Sequence, residues 1–189
     1  MEELTRIHPD GKNRCSWAWP DDIYIDYHDT EWGVELRGQN ELFERLALEA
    51  FQAGLSWITI LKRREGFRSA FSNFEVAKVA SFDESDVARL LNDAAIIRNE
   101  QKIRAVISNA QLILEKNIDL TATIWRFAPA VRETPEADFR WLATSAESEA
   151  ISKELRRLGM KFVGPTTMYA LMQSIGMVRD HAPGCFLRT

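Results

Sequence analysis

The feature that most constrains the fold is a pair of cysteine–histidine motifs at opposite ends of the chain. Twelve residues separate Cys15 from His28, and three separate His181 from Cys185. Two cysteines and two histidines complete the tetrahedral ligand set of a structural zinc, with no position left for water. A zinc ion bound by all four would tie the N-terminal segment to the C-terminal tail.

The spacing leaves other interpretations open. A disulfide between Cys15 and Cys185 would also join the two ends, but it would leave both histidines without a role. Two free thiols and two unrelated surface histidines fit as well. Two distant cysteines are typical of a reducing compartment, where metal binding is more common than a disulfide.

Length and composition predict a water-soluble protein with one main domain. The chain has 189 residues, of which 46% are hydrophobic and 28% are charged. No apolar run approaches the roughly 18 residues of a membrane span, and we expect neither membrane insertion nor a secretory signal. The net charge is −4, but basic residues cluster at 62–68, 98–104 and 153–161, while acidic residues concentrate at 83–86 and 133–138. This patterning favours a protein with one basic face.

Helical periodicity dominates the chain, and no convincing alternating strand is present. The patterning predicts an all-α domain over residues 14–189, preceded by a flexible N-terminal extension over residues 1–13. Residues 129–145 are expected to be irregular. About eight helices are predicted: Asn40–Ala53, Ser56–Lys62, Phe74–Ser81, Glu84–Asn92, Asn99–Glu115, Leu120–Phe127, Ser148–Leu158 and Thr166–Ile175.

The connection between the last two helices predicts a contact with a phosphate backbone. One helix stops at Gly159, and the next begins at Pro165 or Thr166, since proline is favoured in a first helical turn. Gly164 lets the backbone approach an external group, and the free N–H groups that follow can hold a phosphate. Residues 148–176 thus have the layout of a helix-hairpin-helix, which grips DNA without reading its sequence. A plain helical hairpin with a glycine cap fits the same pattern.

A buried acid and a group of aromatic residues form a third candidate site. Glu49 falls on the apolar stripe of the helix Asn40–Ala53, where a carboxylate is desolvated unless it is hydrogen-bonded. An acid in an aromatic pocket suits a flat ring that carries N–H groups or positive charge. A core glutamate satisfied by backbone donors or an arginine is the alternative, and the aromatic residues could equally be core. These are Trp17, Trp19, Tyr24, Tyr27, Trp32 and Trp57.

Five blocks of the sequence resemble one enzyme family, bacterial 3-methyladenine DNA glycosylase I. The resemblance runs from about Arg14 to Cys185, and its two longest strings are specific to that family. The blocks are Cys15-Ser-Trp-Ala-Trp, Tyr24-Ile-Asp-Tyr-His28-Asp-Thr-Glu-Trp-Gly33, Gln52-Ala-Gly-Leu-Ser-Trp57-Ile-Thr-Ile-Leu-Lys62, Lys161-Phe-Val-Gly-Pro-Thr166 and Asp180-His-Ala-Pro-Gly-Cys185.

The resemblance implies an all-α helix-hairpin-helix glycosylase whose termini are joined by a structural zinc on Cys15, His28, His181 and Cys185. It implies a bacterial cytoplasmic enzyme that acts as a monomer on double-stranded DNA containing alkylated adenine. The DNA contacts would include Gly164, Pro165 and Thr166, with Leu55 as the wedge that fills the gap left in the duplex.

By the same resemblance, Glu49 is the catalytic residue and Tyr27 and Trp57 stack on the flipped base, with Trp17, Tyr24 and Trp32 lining or supporting the pocket. Bifunctional relatives carry a lysine at the start of the second hairpin helix. Pro165 and Thr166 stand there in this chain, so the expected activity is monofunctional. Asp180 is interpreted as structural, and Phe51 departs from the family pattern at a position expected to affect the pocket rim.

Three classes of function remain open. The first is excision of 3-methyladenine by base flipping and hydrolysis of the N-glycosidic bond. The second is a lesion-sensing helix-hairpin-helix DNA-binding protein without excision activity. The third is a zinc-stapled structural domain with no role on nucleic acid. Glu49 and its aromatic surroundings favour the first over the second, and the hairpin segment argues against the third.

Overall fold

The structure is a computed structural model that describes residues 3–130 and 139–188. The predicted mostly helical fold is confirmed. These residues form ten α-helices: α1 Asp22–Thr30, α2 Gln39–Gln52, α3 Trp57–Leu61, α4 Arg64–Ala70, α5 Val76–Ala80, α6 Glu84–Asn92, α7 Glu100–Glu115, α8 Leu120–Trp125, α9 Ala146–Leu158 and α10 Pro165–Ser174. A short 3-10 turn covers Ser72–Phe74. None of the described helices is long and apolar enough to cross a bilayer.

The expectation that the chain has no strand is wrong. Strand β1, Thr5–Ile7, pairs antiparallel with β2, Asn13–Cys15. Strands of three residues are too short to show a period of two, so the patterning did not reveal them. The hairpin occupies much of the segment that was expected to be a flexible extension. Its strand β2 also contacts the C-terminal tail, because the N–H of Phe186 donates to the carbonyl of Asn13.

Two helices, α1 and α4, are additional to those predicted. Short helices depend on tertiary packing for their stability, and no local signal was recognised for these two. The side chains of α1 that face inward are Tyr27 and His28, and those of α4 are Phe67 and Ala70. The acidic segment 133–138 and part of the irregular stretch 129–145 lie outside the described residues.

Helix α2 forms the centre of the core and positions the acid predicted to be functional. Nine of its residues are buried, including Phe43, Leu46 and Glu49. Phe51 is fully buried and packs on Phe67 with ring centroids 4.6 Å apart, so it belongs to the core. Burial of each such side chain contributes about 1.5–3 kcal/mol relative to exposure. The core therefore holds the backbone that carries Glu49 in one place.

The ends of α9 and α10 follow the local signals in the sequence. The side chain of Ser145 caps α9 in a capping box with Ser148, and Gly159 ends α9 in the left-handed conformation at φ 104°. Helix α10 begins at Pro165, directly after Gly164. A proline at this position costs no intrahelical hydrogen bond. The two helices pack against each other and are joined by the predicted tight turn.

Candidate active site and metal centre

A cleft of about 210 Å³ brings together all six residues predicted to form the pocket. They come from α1, α2, α3 and the segments that flank α1. The cleft is lined by Trp17, Tyr24, Tyr27, Trp32, Glu49 and Trp57, together with Gln52, Trp141, Leu142, Ala170, Gln173 and Ser174.

The aromatic walls of the cleft form two groups of rings. Tyr27 and Trp57 have ring centroids 5.3 Å apart and planes inclined by 47°. Trp17 lies 5.1 Å from Tyr24 and 5.1 Å from Trp32, and it meets Trp32 edge to face. Trp57 is 8% exposed and Tyr27 is 2% exposed. These rings form an apolar wall on which a planar ligand could stack.

Glu49 places an acid at the floor of this cleft. Its side chain is 4% exposed, and its Oε2 atom has no hydrogen-bond partner among the described residues. Burial raises the pKa of Glu49 to about 7, although the charge of Arg45 and a hydrogen bond from Ser174 lower it in part. The Nε1 atom of Trp57 is also buried without a partner. A buried unsatisfied donor and acceptor are costly, so both atoms are suited to a ligand that supplies their partners.

Arg45, one helical turn before Glu49, organises the wall behind the acid. It donates to the hydroxyl of Tyr27 at 3.2 Å and to Glu31 at 3.2 Å. Glu31 also accepts two hydrogen bonds from Arg64, at 2.6 and 2.8 Å. Burial raises the pKa of Tyr27, so this phenol stays protonated and its ring is held by Arg45.

Several pocket residues were missed in the sequence. Ser174 and Gln173 come from α10, which was interpreted only as the second hairpin helix, and Trp141 precedes α9. Asp180 accepts hydrogen bonds from Tyr169 and Gln173, each at 2.8 Å, which agrees with a structural role. The role of Arg45 could have been predicted from the sequence, because it lies four residues before Glu49 on the same helix, where opposite charges commonly interact.

The four metal-ligand candidates from the two ends of the chain also meet. Their ligand atoms all lie within 4.8 Å of one another, and all four residues are buried. Cys185 Sγ lies 3.5 Å from His28 Nε2 and 3.6 Å from His181 Nδ1, while Cys15 Sγ lies 3.8 Å from His181 Nδ1. Tetrahedral zinc with its usual bond lengths of about 2.3 Å to sulfur and 2.0–2.1 Å to nitrogen separates such atoms by about 3.6 Å. The donor set therefore fits zinc in both chemistry and spacing.

The surroundings of this cluster suit a metal as well. The Nδ1 atom of His28 is 2.8 Å from Asp29, which leaves Nε2 facing the two cysteines. A histidine ligand commonly donates its second N–H to a carboxylate in this way. Asp29 in turn accepts from Arg14, and Arg14 binds Asp10 of the N-terminal hairpin. Hydrogen bonds from Cys15 and the two histidines lower the pKa of Cys185, whereas the same contact with Cys185 raises the pKa of Cys15, so a thiolate is favoured at Cys185.

The predicted DNA-contacting residues lie in two turns. Leu55 is 41% exposed in the turn between α2 and α3, next to Gly54 at φ 83°. The second turn joins α9 to α10 and ends at Gly164, and Pro165 and Thr166 are the first two residues of α10. A left-handed residue is easily supplied by glycine, which explains Gly54.

Part of the predicted basic face is neutralised by salt bridges within the protein. Lys62 pairs with Asp21, Arg64 with Glu31, Arg68 with Glu44, and Arg104 with Glu84. Each pairing joins elements that are distant in sequence, so charge clusters along the chain did not reveal them. Within the two described ranges, no salt bridge involves the following basic residues: Arg98, Lys153, Arg156 and Lys161.

Comparison with solved structures defines the class of the fold. A crystal structure of a 3-methyladenine DNA glycosylase I matches with a TM-score of 0.88 and 41% identity, over 93% of this chain and 100% of that chain. A structure of 3-methyladenine DNA glycosylase I from Staphylococcus aureus, solved to explain 3-methyladenine recognition, matches with a TM-score of 0.85 and 32% identity, covering 93% and 96% of the two chains. The fold is that of a DNA glycosylase.

Sequence comparison gives the family. Residues 17–188 match the methyladenine glycosylase family. The DNA-3-methyladenine glycosylase 1 of Escherichia coli (strain K12) is 46% identical over 178 residues, which cover 91% of this chain and 95% of the relative. A DNA-3-methyladenine glycosylase of Haemophilus influenzae is 42% identical over 183 residues, covering 93% and 98%. The chain belongs to the methyladenine glycosylase family.

Proposed function

We propose that this protein excises 3-methyladenine from alkylated DNA as a monofunctional DNA glycosylase. The observation that carries the proposal is the unpartnered oxygen of Glu49 inside an aromatic cleft, in a chain of the methyladenine glycosylase family. The acceptor on Glu49 would pair with the edge of a purine. The rings of Tyr27 and Trp57 would stack against the base.

The chemistry requires little from the protein beyond selection and positioning. Methylation at N3 makes adenine cationic, so its glycosidic bond is already weak. Flipping the nucleotide into the cleft places the base against Glu49, whose carboxylate favours a cationic ring. The bond from C1′ to the base breaks and its electron pair goes to the base, so 3-methyladenine leaves as a neutral molecule. Water adds to C1′ and releases one proton to solvent. Trp17, Tyr24 and Trp32 support the stacking rings.

We assign the DNA contacts to the two exposed turns. The N–H groups of Gly164 and Thr166 lie at the start of α10, and Pro165 between them has none. These N–H groups would hold a phosphate, as in a helix-hairpin-helix over residues 148–176. Leu55 would fill the gap left by the flipped base. Pro165 and Thr166 supply no amine for a Schiff base, so strand cleavage is not part of the activity.

We also propose that residues 14–189 act as a single domain and a monomer on double-stranded DNA. The cluster of Cys15, His28, His181 and Cys185 would hold zinc as a structural staple between the two ends of that domain. The supporting observation is the spacing of its four ligand atoms, which all lie within 4.8 Å of one another. None of the four residues lines the cleft, although His28 packs on Trp17 and His181 on Trp32 of its wall. This zinc would therefore hold the fold together and take no part in base removal.

Chromatography of bases released from methylated double-stranded DNA tests the activity. The wild-type protein should release 3-methyladenine and leave unbroken strands with abasic sites. Glu49→Gln should retain partial activity, because the cationic lesion is itself labile. Glu41→Gln changes an exposed acid on the same helix and should behave as wild type. Tight binding to abasic DNA without any base release would favour a lesion-sensing protein instead.

A further inference from the structure

Helix α7 connects the two turns assigned to DNA, although its own residues line neither the cleft nor the metal cluster. Lys102 and Asn109 stand seven residues apart on α7, which places them on the same face, about 10 Å apart along the helix axis. They are 7% and 4% exposed. Polar groups so deeply buried require partners, and each finds them on the backbone of one of these turns.

Lys102 holds the turn that carries Leu55. Its ammonium donates to the carbonyls of Phe51 at 2.9 Å and Ala53 at 2.6 Å. These carbonyls lie at the C-terminal end of α2, where the helix dipole favours a cation. Gly54 and Leu55 follow directly, so Lys102 fixes the backbone from which Leu55 projects.

Asn109 holds the turn between α9 and α10 in a similar way. Its amide nitrogen donates to the carbonyl of Lys161 at 3.1 Å, and its oxygen accepts from the N–H of Lys161 at 2.9 Å. Ser152 adds a bond of 2.6 Å to the carbonyl of Val163 from α9. The backbone that leads into Gly164 is therefore tied to α7 by a two-point contact.

We infer that α7 is a strut that sets the distance and orientation between the Leu55 turn and the Gly164 turn, with Lys102 and Asn109 as positioning residues for base flipping. This inference rests on the proposed function. Flipping requires a wedge in the base stack and a grip on the phosphate backbone at the same time, so their relative placement determines whether both can engage. The apolar side of α7, including Ile103, Val106 and Ala110, is buried in the core and keeps the strut rigid.

Two variants remove one tie each while keeping similar side-chain bulk: Lys102→Met and Asn109→Leu. Arg104→Met is the matched control, because it removes one positive charge from the exposed side of α7 and contacts neither turn. Free 3-methyladenine affinity, measured by tryptophan fluorescence, reports the cleft. Affinity for abasic-site DNA and single-turnover excision report engagement of the duplex.

Both variants should bind the free base within about twofold of wild type and lose roughly tenfold or more in abasic-DNA affinity and excision rate. Arg104→Met should change neither by more than about twofold. The DNA affinity and excision rate of the double variant should be little lower than those of the more impaired single variant, because losing either tie already misplaces one turn relative to the other.

Equal losses of free-base and DNA binding would overturn the inference, since they would show a general structural role. Unchanged DNA affinity, or fully additive losses, would also overturn it. If Asn109→Leu does not fold, Asn109→Asp keeps the acceptor for Lys161 and should still show a smaller, DNA-selective loss. Failure of the wild type to release 3-methyladenine would refute the proposed function, whereas the abasic-DNA comparison would still decide the role of α7.

Discussion

Burial raises the pKa of Glu49 to about 7, so the contribution of this residue to folding stability depends on pH. A carboxyl whose pKa is raised on folding favours the folded state below its unfolded pKa, and this contribution is lost as pH rises through the folded pKa. The ionised carboxylate has an unpartnered oxygen in the free protein, so the group proposed to bind the base destabilises the folded state.

Replacing this acid by glutamine should therefore stabilise the free protein in a pH-dependent way. Between about pH 4.5 and pH 7 the advantage of Glu49→Gln over wild type should grow, reaching about 3 kcal/mol by pH 8, the value of a shift of between two and three pKa units. Denaturant unfolding at both ends of this range measures it. An equal difference at both pH values would contradict the prediction, and Glu41→Gln should show none.

Trp57 is expected to contribute to base binding through stacking of its ring. Trp57→Ala should weaken free 3-methyladenine binding by about 1–3 kcal/mol, the scale of stacking between a base and an aromatic side chain. Trp57→Phe keeps a smaller ring that can still stack, so its loss of affinity should be smaller than that of Trp57→Ala. Titration calorimetry distinguishes the two. Equal affinity in all three proteins would show that this side chain only fills the core.

At the scale of helices and turns, two glycines lie at the ends of the α9–α10 connection, and substitutions at them test DNA contact and folding separately. Gly164 has φ −66° and ψ 159°, and a Cβ there would meet its nearest neighbour, Arg156, at 3.6 Å. Gly164→Val should therefore keep the fold while its side chain obstructs the N–H groups behind it. Abasic-DNA affinity should fall roughly tenfold, with free-base affinity unchanged. Parallel losses in both would mean that the fold had been damaged.

Gly159→Ala is the matched control for this experiment. Gly159 lies at φ 104°, and a Cβ there would sit 3.3 Å from Leu112. A left-handed conformation costs an alanine about 1–2 kcal/mol, so the variant should be less stable by a similar amount. Its DNA affinity per folded molecule should not change, because this glycine lies at the end of α9, before the N–H groups of α10.

Sequence patterns predicted the four longest helices and four of the six shorter ones, but they missed α1 and α4. The apolar stripe on α2 is a local signal, and this helix formed near its expected position. Helices α1 and α4 are set by burial against distant partners, as in the pairing of Arg64 with Glu31. Likewise, the bond from Ser174 to Glu49 depends on how α10 packs on α2, which no local pattern contains.

At the scale of the whole molecule, the Cys15–His28 and His181–Cys185 motifs join the two ends of the chain at one buried point. The motifs themselves were visible in the sequence, but their meeting at one buried point, with all four ligand atoms within 4.8 Å of one another, became clear only in the structure. Both thiols are free. A zinc site would be weakened by chelators, whereas a disulfide would be broken by reductants, so the two alternatives can be distinguished. The staple would close a loop of nearly the entire chain, which makes global stability the property to measure.

We expect one zinc per chain by elemental analysis of protein purified without chelator. A strong chelator should lower the free energy of unfolding by several kcal/mol, because metal binding contributes to folding, and added zinc should restore it. Reductant alone should have no effect, in contrast to a chain held by a disulfide.

Cys185→Ser should match the chelated protein in stability, and chelator should not change the stability of this variant. Free 3-methyladenine affinity, measured on the folded fraction, should remain close to that of wild type, because none of the four ligands lines the cleft. Metal-free protein of undiminished stability would show that the four residues only pack together.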